Sequence, residues 1–115
     1  MSLTIYHNPR CTKSRETLEL LKDKRLKPKV VEYLKTPPTA AELDAVLKKL
    51  NLEPEAIIRT KEDEYVTSGL KNPNLTRAEK IAILVKNPIL IERPIVVNGA
   101  KAALGRPPEK VLGIL

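Results

Sequence analysis

Apolar positions along the chain follow two rhythms. Leu3 to Tyr6 form a short run that predicts a β-strand, and Asn8-Pro9 breaks it. From Thr12 the spacing becomes helical: Leu18 and Leu21 share one face, charged residues surround the rest, and the pattern fades near Lys24. Val30 to Leu34 predict a second strand. Two strands separated by one helix predict a right-handed parallel unit, because a parallel pair needs a long crossover.

The middle of the chain reads as helical. Thr39 and Glu42 have capping-box spacing, and Leu43, Val46, Leu47 and Leu50 follow at helical intervals. Pro54 suits the first position of a short helix carrying Ala56, Ile57 and Ile58. Asn72-Pro73 marks a loop. Thr76 and Glu79 repeat the capping box before Ile81, Leu84 and Val85, and Asn87-Pro88 ends that helix. "RPIVVNGAKAAL" then places two strand-like runs around Asn98-Gly99, a strong hairpin signal. Pro107-Pro108 starts a closing helix through Val111, Leu112 and Leu115. The order is β-α-β, a helical stretch, then β-β-α. It predicts an α/β fold with a thioredoxin-like mixed sheet and an inserted helical subdomain at about 38–88, within a single domain over 1–115.

Composition narrows the function classes. The 115 residues, 42% of them hydrophobic, suit one globular domain with a core. "MSLTIYHNP" lacks the pattern of a signal peptide, and no apolar run approaches the roughly 20 residues that span a bilayer. No membrane partner is therefore expected. The formal net charge is +7, but only 3% of residues are aromatic, which leaves few platforms for stacking bases. The densest basic run, "KDKRLKPK", reads as cations on a solvated face at a helix C-terminus, so no nucleic-acid partner is expected. The positive excess attracts small oxyanions.

Chemistry concentrates in "YHNPRCTKSRET", which holds the only histidine and the only cysteine. A lone cysteine cannot form an internal disulfide, which fits a reducing cytoplasm. Free cysteines are often inert packing. Here Arg10, Thr12, Lys13 and Ser14 would line an apolar pocket badly, and Arg15 adds a further cation. The start of a helix also presents free N–H groups that favour an anion. Cys11 therefore reads as a reactive thiolate. Ser14 lies one helical turn on; its hydroxyl either donates to the thiolate or satisfies local backbone. His7 either supports the thiolate and moves a proton or holds the loop by a hydrogen bond. Ser14 stands where a C-x-x-C motif needs its second cysteine, and Thr17 where a phosphatase-type loop needs arginine. One cysteine and one histidine fall short of a metal site.

"YHNPRCTKSR" resembles the H-N-P-x-C-x-x-S-R signature of the glutaredoxin-coupled arsenate reductase family. "AIIRTKEDEY", "NPILIERPIVV" and "GRPPEKVL" resemble, in order, its segments with three oxyanion-binding arginines. The resemblance implies Arg59, Arg93 and Arg106 in that role, and a cis proline at Pro94. It implies an oxidoreductase of arsenical resistance in which Cys11, its thiolate stabilised by His7, Ser14 and Arg15, attacks arsenate. Glutathione, a co-substrate rather than a bound cofactor, adds to the adduct, glutaredoxin reduces the product, and arsenite leaves. The lone cysteine separately points to an external reducing thiol. Guanidinium groups suit the task, being planar, always charged and able to give paired donors. A surface salt bridge is the competing reading of each, most of all Arg59, which Glu62, Asp63 and Glu64 follow closely. Two alternatives remain: a glutathione-dependent thiol oxidoreductase without arsenate activity, and an adaptor like the Spx regulators that bind RNA polymerase.

Overall fold

The computed structural model describes residues 2–115, which form two compact units. One unit runs to Thr36 and resumes over Arg93–Leu115; the other is Pro37–Glu92. The sequence reading placed the helical insertion at about 38–88.

The first unit is a four-stranded mixed sheet with helices. Its elements are β1 (Leu3–His7), α1 (Thr12–Asp23), β2 (Lys29–Glu32), β3 (Ile95–Asn98), β4 (Lys101–Leu104) and a closing 3₁₀ helix, Pro108–Ile114. The spatial order is β2-β1-β3-β4. β1 pairs parallel with β2, aligning Ile5 with Val30, and antiparallel with β3, aligning Ile5 with Val96. β3 and β4 close an antiparallel hairpin in which Val96 faces Ala103. This is the thioredoxin-like architecture. Helix α1 makes the crossover between the parallel strands and packs on β1 and on the closing helix. Ile5, Leu21, Val96 and Val111 are fully buried at that junction. Each contributes about 1.5–3 kcal/mol by leaving water.

Three local expectations shift. β2 stops at Glu32 rather than Leu34, because the Glu32 carbonyl accepts the N–H groups of Lys35 and Thr36 and turns the chain. The hairpin loop is Gly99-Ala100, not Asn98-Gly99: Asn98 pairs with Lys101, and Gly99 takes the left-handed φ of 61°. The Asn98 amide instead donates to the Ile114 carbonyl at 2.6 Å, tying the hairpin to the closing helix. That helix is 3₁₀, whose threefold repeat buries Val111 and leaves Leu112 and Leu115 exposed.

In the second unit, α2 (Ala40–Leu50) packs against α4 (Arg77–Lys86). Both begin with the expected capping box. Thr39 accepts the Glu42 N–H at 3.1 Å and Thr76 accepts the Glu79 N–H at 3.2 Å, while each glutamate returns a bond to its threonine's N–H. Leu43, Val46 and Leu47 of α2, with Ile81 and Leu84 of α4, are buried. Pro54–Ile57 and Pro88–Leu90 are 3₁₀ turns, and Glu64–Thr67 forms the one-turn α3. The latter two are shorter than any periodicity could show. Arg77 donates to Asp44 and Glu53, and Lys80 pairs with Glu55. Among the described residues, no helix is long and apolar enough to cross a membrane.

Candidate active site

β1 delivers the chain to a tight loop before α1. The Asn8 carbonyl accepts the Cys11 N–H and the Asn8 side chain accepts the Arg10 N–H, both at 3.0 Å. Cys11 is the N-cap of α1, with an extended backbone and no side-chain cap of its own. The first amides of the helix are thereby left for another acceptor. The Ser14 and Lys13 N–H groups favour the ionised form of the Cys11 sulfur.

Arg93 and Arg106 reach the same sulfur from the far end of the sequence. Arg93 stands two positions before β3 and Arg106 two positions after β4; the hairpin, which sets Ile95 against Leu104, brings them side by side. β3 also aligns Ile95 with Tyr6, so this end of the hairpin lies beside the loop that holds Cys11. The Arg93 guanidinium favours the ionised sulfur. Arg106 Nη1 stands 3.8 Å from Cys11 Sγ and donates to the Arg93 carbonyl at 3.1 Å. The Arg93–Pro94 bond is cis, as is Arg106–Pro107.

Burial pushes the Cys11 thiol up, but the Ser14 N–H, the Arg93 guanidinium and the Lys13 N–H outweigh it. The net result is a thiol whose pKa is lowered from its ordinary value. Cys11 is a free cysteine and partly exposed, so its sulfur is accessible.

His7, Asn8 and Ser14 form a buried layer under this loop. Ser14 Oγ accepts the Asn8 N–H at 3.0 Å and lies 2.6 Å from His7 Nδ1. Burial, with Lys22 and Arg15 beyond it, lowers the His7 pKa despite the nearby Glu32. A neutral ring protonated on Nε2 accepts the Ser14 hydroxyl at Nδ1. Ser14 thus meets the sulfur through its backbone and His7 through its side chain. Arg15 turns away from the sulfur: its guanidinium donates to the Pro9 carbonyl at 3.0 Å and to Thr12 Oγ1 at 3.3 Å, stapling the loop to the helix. Arg59 belongs to the helical unit, where Nη1 donates to Glu92 at 2.7 Å.

Two further residues escaped the sequence reading. A Cβ on Gly105 would come within 2.5 Å of Thr17 Oγ1 and 2.8 Å of Pro94 Cγ, so glycine permits a close approach just before Arg106. Thr17 is fully buried, and its hydroxyl donates to the Lys13 carbonyl at 2.8 Å. The available signal was the spacing of Ser14, Thr17 and Leu21, which puts two polar residues on the buried face of α1. Among the described residues, no group of three or more His, Cys, Asp or Glu side chains is placed to hold a metal ion.

The site is thus a partly exposed cysteine at a helix start on a thioredoxin-like sheet, with Arg106 beside it. Residues 6–114 match the model of the ArsC family, and the chain belongs to that family. It is 47% identical to the arsenate reductase of Haemophilus influenzae, over the whole of both chains. It is 51% identical to the uncharacterised Escherichia coli protein YfgD, over 96% of this chain and 94% of that one. Among solved structures it resembles an arsenate reductase from Vibrio cholerae, with a TM-score of 0.95 and 46% identity over 100% of this chain and 98% of that one.

Proposed function

We propose that this protein is an arsenate reductase that draws its electrons from glutathione and glutaredoxin. The observation that carries the reading is the position of Arg106 Nη1, 3.8 Å from the Cys11 sulfur that Arg93 also contacts. A thiolate approaching anionic arsenate meets charge repulsion. Guanidinium groups at the sulfur offset that repulsion and stabilise the oxygens on which charge develops. Cys11 attacks the arsenic and one oxygen leaves as water, giving a thiol–arsenate adduct. Glutathione adds to the adduct through its thiol, and a second oxygen leaves as water. A glutaredoxin thiol then attacks the glutathione sulfur: the two sulfurs form a disulfide, arsenic keeps the two electrons of its bond to that sulfur, and water displaces Cys11 to release arsenite. The family resemblance adds Arg59 as a third oxyanion donor. The single cysteine supports the external reductant, because the chain has no second thiol to resolve the adduct. It also supports a cytoplasmic setting, where such a thiol stays reduced.

Purified protein supplied with glutathione, glutaredoxin and a reductant-coupled readout should reduce arsenate, and Cys11→Ser should abolish turnover. An intact protein that never turns over arsenate in this assay refutes the proposal. If Cys11 nonetheless forms a mixed disulfide with glutathione, the thiol oxidoreductase reading replaces it.

A further inference from the structure

The guanidinium of Arg59 is held at one nitrogen and lacks a hydrogen-bond partner at another. Ile58 and Ile91 form an antiparallel bridge, the Arg59 N–H donates to the Leu90 carbonyl at 2.8 Å, and the Glu92 N–H donates to the Ile57 carbonyl at 2.7 Å. These bonds hold the two backbones together, and Arg59 Nη1 reaches Glu92 Oε1 at 2.7 Å. The side chains are only 24% and 23% exposed, so water screens the pair less than it screens a surface ion pair. Arg59 Nε is buried and has no hydrogen-bond partner.

Guanidinium geometry gives this pattern a meaning. Nη1 lies on the Cδ side of the planar group, while Nε–H and one Nη2–H point the same way and form a two-donor fork. Glu92 holds Nη1 and leaves that fork whole. A buried cationic N–H without an acceptor is costly, and an oxyanion with two oxygens on one edge satisfies both donors at once.

We propose that Glu92 is a positioning residue: it fixes the rotation of the Arg59 guanidinium so that the Nε–Nη2 fork receives two oxygens of a tetrahedral oxyanion. This rests on reading Arg59 as an oxyanion donor. It goes further in assigning a carboxylate a favourable part in binding an anion. On charge alone the opposite holds, since Glu92 would repel the anion and compete for Arg59.

The test uses the full chain, with inorganic arsenate and sulfate as probes in titration calorimetry and steady-state kinetics alongside. Glu92→Ala should weaken arsenate binding about tenfold and raise KM by a similar factor, with kcat little changed. Glu92→Gln, whose amide oxygen still accepts from Nη1, should recover most of the loss. Arg59→Lys, which keeps the charge but lacks the fork, should bind as weakly as Glu92→Ala. It serves as an independent variant if removal of Glu92 harms folding. Tighter or unchanged binding in Glu92→Ala, no recovery in Glu92→Gln, or full affinity in Arg59→Lys overturns the proposal, as does a parent protein that binds no arsenate. A parent that binds arsenate in a Glu92-dependent way but shows no turnover removes the reductase reading and leaves this inference standing.

Discussion

Arg106 and Cys11 are 95 residues apart in sequence, yet Arg106 Nη1 lies 3.8 Å from the Cys11 sulfur. The same nitrogen donates to the Arg93 carbonyl, so one bond orients the group that faces the sulfur. The contact exists because β3 lies between β1 and β4: one side of β3 meets the strand leading to Cys11, and the other meets the strand leading to Arg106.

Removing this guanidinium should damage turnover far more than removing a cation elsewhere. Arg106→Ala is expected to lower kcat/KM for arsenate on the order of a hundredfold, the usual loss when a preorganised donor is deleted. Lys24→Ala, at the exposed end of α1, should stay within about twofold. Steady-state kinetics decide, and equal losses would mean that position around the sulfur does not matter.

The acidity of the thiol should be visible in its pH profile. Only the thiolate reacts with iodoacetamide, and Cys11 ionises below its ordinary value, so alkylation should reach its plateau at lower pH than for a free cysteine. Arg93→Ala removes a hydrogen bond and a positive charge that favour the thiolate, so the midpoint should move to higher pH. An unchanged midpoint would show that the helix amides alone set the ionisation.

Gly105 and Gly113 should respond oppositely to alanine. At Gly105 the added methyl meets Thr17 and Pro94 inside 3 Å, so Gly105→Ala should destabilise the fold by about 1–3 kcal/mol, the range for overpacking. At Gly113 nothing lies within 4 Å and the methyl restricts the unfolded chain, so Gly113→Ala should be neutral or stabilise by up to about 1 kcal/mol. Denaturant unfolding curves test both; a Gly105→Ala protein as stable as its parent would contradict the close packing.

Much of the fold was legible because its signals are local. The two capping boxes put their hydrogen-bonding residues three positions apart, and Asn8-Pro9 ends β1 by backbone chemistry alone. The hairpin register was misjudged by one residue because Asn98 is held by Ile114, 16 positions away, which no turn rule can see. β2 ended early for a related reason: its apolar pattern continues to Leu34, but the Glu32 carbonyl had already turned the chain. At the candidate site, sequence spacing picked out Cys11 and the amides of the helix that follows it. It did not separate the two bonds of Ser14, nor foresee Arg15 turning onto Pro9, because side-chain direction depends on the neighbours that the fold supplies.

What the sequence alone determined is the candidate atom and its immediate backbone: the sulfur of a lone cysteine at the start of a helix, where free amides follow from chain geometry. Only the tertiary structure decided which cations meet that sulfur. Arg93 and Arg106 stand in segments remote from Cys11, and it is strand pairing, held by buried side chains such as Ile5 and Val96, that sets them against it. Helix capping acts over three or four residues, whereas guanidinium placement depends on a sheet order that no short window of sequence contains.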